Sequence, residues 1–348
     1  MEDIRKEFPI LNEYTYLNTA RFCALPKSVI KAQHAFLDHV NTHGSWKFDP
    51  WSTLYESTRT QAARLIGGQA DHTFFLPNVS LGFNMAAQYL PKRKVICLQD
   101  DFPSVHMAWK SHGFDVQYLN YKSDSFYGKL STALSLPNQI LSVSWVQSED
   151  GFEIDLKLIF DLCKENDHIL VLDGTQGLGA IPFQIDPEVN CLFLASGFKW
   201  LMAGYGIAVG HASDNILEYI KPMQGWNSVD GAGISSGAKS LEVGHATYLN
   251  AAALIEGIEL INQISIETIC QHNLVLRKHV ETWCTQNGVR FKSYNSQSSI
   301  ISMEVKTGDF ARLADNNIQV TNQGDFIRIS PHLYNNASDI EKLLDLIG

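Results

Sequence analysis

The sequence predicts an α/β fold, because strand-like and helix-like segments alternate along most of its 348 residues. Two short apolar runs, residues 169–172 and 192–195, have the pattern of parallel strands that are buried on both faces. The first run stops at Asp173 and the second at Ser196, and a glycine follows each. A chain of this length exceeds the usual size of one hydrophobic core, so we expect two domains.

The other elements follow from hydrophobic periodicity, prolines and turn residues along the chain. Pro26 opens the first long helical stretch, and the glycine pair at 67–68 closes the next one. We predict helices at residues 1–13, 26–43, 53–66, 81–90, 155–166, 214–220, 248–264, 266–287 and 338–347. We predict strands at residues 14–18, 72–76, 94–98, 139–146, 169–172, 192–195, 205–209 and 299–305.

The composition is that of a soluble globular protein, with 45% hydrophobic residues and a mean hydropathy of -0.10. The N-terminal residues are charged, and the sequence has no apolar run of about 18 residues, the length that predicts a transmembrane helix. We therefore expect neither a secretory signal nor a membrane span, and we expect a cytoplasmic location.

Charge and cysteine content exclude several classes of partner and site. The net charge of -10 argues against nucleic acid or an anionic membrane as the main partner, because both require a basic face. The six cysteines are scattered, with no CxxC pair and no cysteine and histidine cluster at metal-ligand spacing. We expect them to be small buried apolar residues, and we predict no metal site.

Polar side chains follow the two buried strands at the point where each strand ends. In open α/β sheets, ligands bind outside the carboxyl ends of the strands. Asp173, Gln176, Ser196 and Lys199 should therefore converge on one site. Taken singly, a strand-terminal aspartate is often a helix N-cap, and a lysine after a strand is often a solvated loop charge.

Together these residue types suit pyridoxal phosphate (PLP) chemistry. A lysine amine such as Lys199 forms a Schiff base with the cofactor aldehyde, and a carboxylate such as Asp173 keeps the pyridine nitrogen protonated. Burial and nearby positive charge lower the pKa of such a lysine. Gln176 would donate to the ring oxygen, and Ser196 would contact the phosphate.

The motif D-G-x-Q followed by S-G-x-K resembles the cofactor site of the class V aminotransferase family of fold type I. That family includes cysteine desulfurases, selenocysteine lyases and kynureninase. The resemblance implies a large PLP-binding domain over residues 14–260, with a mainly parallel seven-stranded sheet. It also implies a small α/β domain built from residues 1–13 and 261–348, and a homodimer with shared active sites. Phe198 stands where many members have histidine, and the dipeptide at 225–226 recurs near a subunit boundary.

The same resemblance implies four further contacts to the cofactor. The turn at residues 77–80 opens a predicted helix, so its backbone N–H groups suit an anion, with Val79 and Ser80 at the phosphate. Helix capping by the turn is the alternative. Phe102 occupies the position of the residue that stacks on the pyridine ring. His245 replaces the threonine that reaches across the dimer to the phosphate in many members.

Substrate contacts are implied mainly near the C-terminus. Residues 328–335 resemble the family motif R-x-S-x-x-x-Y-N, in which the arginine binds the α-carboxylate of the substrate. Arg328 suits this role because its guanidinium matches a carboxylate bidentately. The alternative is an arginine on the solvated face of a strand. Ser148 and Asn18 occupy positions that lie near the substrate in the family.

These features predict a PLP-dependent enzyme that acts on a small free amino acid or its keto acid, most simply by transferring the amino group. A selenocysteine lyase, a cysteine desulfurase-like enzyme or another β-eliminating lyase is the alternative. A desulfurase needs a nucleophilic cysteine on a loop before the C-terminal arginine, and residues 306–327 contain no cysteine.

Two hypotheses from other classes fit less well. Gly174, Gly177 and Gly179 have the spacing GxxGxG rather than the GxGxxG of a dinucleotide-binding site. A non-catalytic relative that uses the fold for binding would be consistent with Phe198 and His245, but it would have no need of both Lys199 and Asp173.

Overall fold

The structure is a computed structural model that describes residues 2–220, 229–230, 233–234, 237–292 and 294–347. For residues 2, 229, 230, 233 and 234 it describes the backbone alone. The dipeptide at 225–226 lies outside the described residues.

Strands and helices alternate along the chain as predicted for an α/β protein. The strands are β1 (Thr15–Tyr16), β2 (Thr73–Leu76), β3 (Val95–Leu98), β4 (Val116–Leu119), β5 (Ile140–Ser144), β6 (Ile169–Asp173), β7 (Asn190–Ser196), β8 (Ala208–Ala212), β9 (Val229–Asp230), β10 (Gly233–Ile234), β11 (Phe291–Lys292), β12 (Ile301–Glu304), β13 (Ile318–Gln319), β14 (Thr321–Asn322) and β15 (Phe326–Ile329). The helices are α1 (Glu2–Arg5), α2 (Lys27–His43), α3 (Asp49–Ile66), α4 (Val79–Tyr89), α5 (Pro103–Ser111), α6 (Phe126–Ala133), α7 (Leu156–Glu165), α8 (Asp214–Tyr219), α9 (Tyr248–Ile264), α10 (Ile266–Asn287), α11 (Asp309–Asp315) and α12 (Ala337–Ile347).

Seven strands form the central sheet, in the spatial order β2-β8-β7-β6-β5-β3-β4. Strand β8 runs antiparallel to its neighbours β7 and β2, and the other adjacent strands pair in parallel. The predicted α/β fold with a mainly parallel seven-stranded sheet is confirmed.

The sheet is buried on both faces, which explains why its strands are continuous apolar runs rather than alternating ones. Leu170 and Leu172 of β6 belong to one buried cluster, which includes side chains of α3 and α9. Ile169 and Val171 of the same strand point the other way into a second cluster, with side chains of α4 and α5. The interiors of these strands are mostly apolar, and the polar side chains that share a cavity with Lys199 lie where the strands end.

The C-terminal part of the chain forms a second, four-stranded antiparallel sheet in the order β11-β12-β15-β14. Its buried face packs with α10, α11 and α12 into a third cluster, to which Leu17 also contributes. The predicted division into residues 14–260 and residues 1–13 with 261–348 stays a prediction.

Two predicted elements were placed wrongly. Residues 1–13 form α1 and a separate 3-10 turn at Pro9–Asn12 rather than one helix, because Pro9 has no N–H group with which to continue a helix. The strand predicted at 205–209 is β8, which begins at Ala208. The preceding residues turn through positive φ angles at Gly204 and Gly206, a conformation that glycine adopts without strain.

In the part of the chain that the structure describes, every helix is too short or too polar to cross a lipid bilayer. The same residues contain no group of three or more histidine, cysteine, aspartate or glutamate side chains that would hold a metal ion.

Candidate active site

A single cavity opens at the carboxyl ends of the central strands and contains most of the side chains that the sequence singled out. It is lined by Asn78, Val79, Ser80, Phe102, Ser144, Val146, Ser148, Asp173, Thr175, Gln176, Ser196, Phe198 and Lys199. Strands β6 and β7 are parallel neighbours, and Asp173 and Ser196 are their last residues. Parallel strands end at the same edge of a sheet, so the predicted convergence follows directly from this pairing.

Asp173 is a buried carboxylate held in place by the turn that follows it. Its Oδ1 accepts a hydrogen bond of 2.9 Å from the backbone N–H of Thr175. Burial raises the pKa of Asp173, while the hydrogen bonds from Thr175 and the charge of Lys199 act in the opposite direction. A carboxylate in this setting is stabilised by a cationic N–H partner, which a protonated pyridine ring provides.

Lys199 is a buried amine, with 7% of the residue exposed. Burial lowers the pKa of Lys199 to about 8; the charge of Asp173 opposes this shift, and that of Arg328 adds to it. The amine lies 5.6 Å from the ring centroid of Phe102 and 5.5 Å from that of Phe198. A substantial fraction of this amine is neutral near physiological pH, as a nucleophile or proton acceptor requires.

Gln176 also lines the cavity, but its side chain makes structural contacts as well. Its Nε2 donates to the carbonyl of Ala20 at 3.0 Å, and its Oε1 accepts from the indole N–H of Trp200 at 2.9 Å. These two bonds fix the orientation of the amide. The Nε2 amino group has a second N–H to donate, and the predicted contact to a ring oxygen stays a prediction.

The start of helix α4 forms the anion-binding end of the cavity. Asn78 is the N-cap, and its side chain accepts a hydrogen bond of 3.0 Å from the backbone N–H of Leu81. Capping and anion binding are therefore compatible, because the N–H groups of the first turn remain directed outward at Val79 and Ser80. The Ser80 hydroxyl lies 2.7 Å from that of Ser104. Ser196 lines the cavity from β7.

Phe102 is exposed for 44% of its surface and lines the cavity, so its ring is available to a ligand there. Its position depends on Asp101, a residue that the sequence analysis did not single out. The buried Asp101 carboxylate accepts from the backbone N–H of Phe102 and from the backbone and hydroxyl of Ser144. The charge of Asp101 also contributes to raising the pKa of Asp173.

Arg328 lies beside the cavity rather than in its lining, on strand β15. Its Nη1 donates to the carbonyl of Ser148, which does line the cavity, and its Nη2 donates to Thr321 Oγ1 at 3.1 Å. Thr321 in turn donates to Asn18 Oδ1 at 2.6 Å. Burial lowers the pKa of Arg328 to about 10, with a further contribution from the charge of Arg21. Arg328, Ser148 and Asn18 thus form one connected group.

His245 is the predicted site residue that lies apart from the others. It lines a different cavity, which also contains Leu81 of helix α4 and Gly206. Within one subunit, His245 and Lys199 therefore do not share a cavity in the described residues.

Comparison with known proteins identifies the family. The model of the family described as "Aminotransferase class-V" matches residues 15–343. The chain belongs to the class-V aminotransferase family. The resemblance seen in the cofactor motif is thereby confirmed over nearly the whole chain.

Individual members of the family are distant in sequence and close in fold. The uncharacterized aminotransferase YcbU of Bacillus subtilis is 24% identical over 367 residues, covering 100% of this chain and 97% of YcbU. A probable cysteine desulfurase of Pyrococcus abyssi is 21% identical, and the match covers 99% of this chain and 96% of the desulfurase. Among solved structures, an apo cysteine desulfurase from Thermococcus onnurineus NA1 superposes with a TM-score of 0.88 at 20% identity. The superposition covers 99% of this chain and 96% of the desulfurase chain. A mutant of C-DES with glycine covalently linked to the PLP cofactor also has a TM-score of 0.88, at 18% identity, and covers 99% of this chain and 98% of its own.

The described side chains fit the family's cofactor. An amine of lowered pKa, a buried carboxylate, an exposed aromatic ring and a helix N-terminus all line one cavity. The amine suits the aldehyde of PLP, and the carboxylate suits its pyridine nitrogen. The aromatic ring suits the face of the pyridine ring, and the helix N-terminus suits the phosphate. The chain is a PLP-dependent enzyme, and the predicted cofactor is confirmed.

Proposed function

We propose that the enzyme is an aminotransferase that acts on a small free amino acid and returns its keto acid. The observation that carries the choice of reaction is the placement of the cysteines. All six are buried, and none lines the cavity with Lys199. Burial also raises the pKa of each thiol, for example to about 12 at Cys163. No thiol of the described site is thus placed or ionised to accept sulfur from a substrate.

The bound cofactor would supply an electron sink for the substrate α-carbon. Lys199 would hold it, and Asp173 would hold the proton on its ring nitrogen. Phe102 would cover the ring, and the first turn of α4 would bind the phosphate. Lys199 Nζ would then take a proton from the substrate α-carbon and return one, since its pKa of about 8 allows both at physiological pH.

Arg328 would bind the substrate α-carboxylate. Its guanidinium plane is fixed by the neutral acceptors Ser148 and Thr321, so its positive charge is not neutralised by these contacts. Its Nε is buried and has no hydrogen-bond partner. A buried cation in this state gains from an anionic ligand, and the rigid fork sets the direction from which a carboxylate approaches.

The test is a panel of free amino acids with keto-acid acceptors, run on purified enzyme loaded with PLP. We expect one amino acid to give its keto acid while the acceptor gains the amino group, with no sulfide, selenide or ammonia released. Lys199→Ala is the control and should give no product.

Two results would contradict the proposal. Release of sulfide, selenide or ammonia without a new amino acid would identify a β-eliminating lyase, which the similarity to probable cysteine desulfurases keeps as the second candidate. A protein that binds amino acids without changing them would be a binding relative.

We also propose a homodimer in which His245 completes the site of the other subunit. Helix α2 supports an interface because Ile30, Leu37 and Val40 are exposed on it, as is Trp46 just after it. The test mixes Lys199→Ala and His245→Ala subunits by partial unfolding and refolding. If His245 acts on the site of the other subunit, each mixed dimer has one intact site and activity is restored. If His245 acts within its own subunit, no site is intact and no activity is restored. A monomer by light scattering would contradict the proposal.

A further inference from the structure

The turn at residues 18–23 connects the two sides of the active site. The carbonyl of Ala20 accepts from Gln176, and the backbone N–H of Cys23 donates to the carbonyl of Phe198. Gln176 and Phe198 both line the cavity with Lys199. On the other side, Asn18 binds Thr321, which is the hydrogen-bond acceptor of Arg328. A side chain at the middle of this turn therefore belongs to a segment that contacts both the cofactor residues and the hydrogen-bond network of the substrate arginine.

That side chain is Arg21. Its backbone N–H donates to the carbonyl of Asn18, which fixes the turn, and its side chain is exposed. Among the described residues, no carboxylate lies within 4.0 Å of its guanidinium, whereas most other arginines of the same residues are paired in this way.

Arg21 and Arg328 form a pair of like charges at this site. Arg21 is near enough for its charge to lower the pKa of Arg328. The described hydrogen bonds of Arg328 go to a carbonyl and a hydroxyl, which are uncharged and leave its positive charge in place. Two neighbouring guanidiniums repel each other, and the pair is unexpected in a chain with a net charge of -10. A ligand that carries two negative groups would relieve this repulsion.

We propose that Arg21 is a specificity residue that binds a second anionic group, the side-chain carboxylate of a dicarboxylic amino acid. Arg328 takes the α-carboxylate, and Arg21 takes the carboxylate at the other end of the substrate. This inference rests on the proposed function for the assignment of the α-carboxylate to Arg328, and it deepens that function by naming the substrate class.

A competing feature lies on the same turn. Phe22 packs against Phe198 and Tyr205, with ring centroids 6.2 Å and 4.7 Å away, and Tyr205 is 67% exposed. An aromatic surface of this kind would favour a neutral aromatic substrate. The two features predict opposite effects of charge on specificity, so one experiment separates them.

The experiment compares wild type, Arg21→Gln and Arg21→Lys as holoenzymes, with Arg64→Gln as the matched control. Arg64 is an exposed arginine in the last turn of α3. Two quantities are measured for L-aspartate, L-glutamate, L-alanine and L-phenylalanine. The first is the dissociation constant from the change in the visible spectrum of the cofactor, and the second is kcat/KM for keto-acid formation.

We expect wild type to favour aspartate or glutamate. Loss of one charge-assisted contact in Arg21→Gln should weaken binding and kcat/KM for that substrate by about 10- to 100-fold. The same variant should change the values for alanine by less than about twofold, as for an exposed charge. Arg21→Lys should recover part of the loss, because it keeps the charge without the fork. Arg64→Gln should have no effect.

Equal losses for aspartate and alanine would show that Arg21 serves the α-carboxylate, and would overturn the inference. So would a preference for alanine or phenylalanine that Arg21→Gln leaves unchanged. If dicarboxylic amino acids bind in an Arg21-dependent way but yield no keto acid, the inference stands and the proposed amino-group transfer fails.

Discussion

Arg328 donates a hydrogen bond from Nη1 to the main-chain carbonyl of Ser148. Arg328 lies on a strand of the C-terminal sheet, whereas Ser148 follows β5 of the central sheet and lines the cavity with Lys199. This bond connects the group that would bind the substrate to the wall of the cofactor site. The relative position of the two depends on contacts between residues 180 positions apart in the sequence.

The Arg328 contact predicts how a conservative change affects catalysis. Arg328→Lys keeps a positive charge but cannot make the bidentate contact or both of the present hydrogen bonds. We expect kcat/KM for the amino acid to fall by about 10- to 100-fold, mostly through KM. Steady-state kinetics check this, with Thr321→Val as a comparison that removes the Nη2 acceptor and its bond to Asn18 but leaves the guanidinium in place. A kcat/KM that is unchanged in Arg328→Lys would contradict the assignment.

Asp173→Asn removes the charge beside the cofactor ring while keeping an acceptor for the Thr175 N–H. The cofactor should therefore still bind, but the ring nitrogen loses the group that stabilises its proton. We expect kcat to fall by roughly 10²–10³ with the visible absorbance retained. The measurement is kcat alongside the absorption spectrum. Full activity in this variant would exclude Asp173 from the role proposed here.

The lowered pKa of Lys199 predicts the pH dependence of cofactor uptake by the apoenzyme. Only the neutral amine attacks an aldehyde, and its fraction rises as the pH increases through the pKa of about 8. The rate of PLP incorporation should therefore increase between about pH 7 and 9 and then level off. Stopped-flow absorbance gives this profile, and Lys199→Ala should show no incorporation. A midpoint near the ordinary lysine value of 10.5 would mean that the amine is not desolvated.

A buried ion pair holds the loop before α9 against the central sheet. Glu242 accepts from Arg59 at 2.7 and 3.0 Å, from the Tyr55 hydroxyl at 3.0 Å and from the backbone N–H of Phe75 at 2.7 Å. Glu242→Ala leaves Arg59 as an unpaired buried charge, so the free energy of unfolding should fall by about 3–5 kcal/mol. Urea denaturation measures this change.

The double variant Arg59→Met/Glu242→Leu removes both buried charges of this ion pair. It should lose less stability than Glu242→Ala alone, because no isolated charge remains. A double variant that is less stable than either single variant would show that the pair contributes more than its desolvation costs.

The cofactor residues could be predicted from sequence because they are local to strand ends. Asp173, Ser196 and Lys199 follow short apolar runs of the length and composition of buried strands, and neighbouring parallel strands bring their ends together. The same reasoning located the α4 N-terminus, since a turn of small polar residues after a strand and before a helix exposes backbone N–H groups. Asp101 follows β3 in the same way, and this signal could have identified it.

The residues that depend on distant contacts could not be placed in this way. His245 lies in the loop between the 3-10 turn at Ala238–Leu241 and α9, and no periodic pattern determines which cavity it lines. Arg21 lies in an irregular turn, and the link of this turn to Arg328 depends on hydrogen bonds to residues far along the chain. The strand at Val116–Leu119 was also missed, because it is an edge strand whose first three residues are only half-buried, and a glutamine interrupts its apolar run.

The central claim is that Lys199 carries the cofactor. It is tested most directly by reducing the purified protein with borohydride, which fixes a lysine-bound PLP permanently, and by locating the modified residue with peptide mass spectrometry. We predict that the label lies on Lys199 and disappears in Lys199→Ala. A label on any other lysine, or a loaded and active enzyme with Lys199 unmodified, would contradict the account.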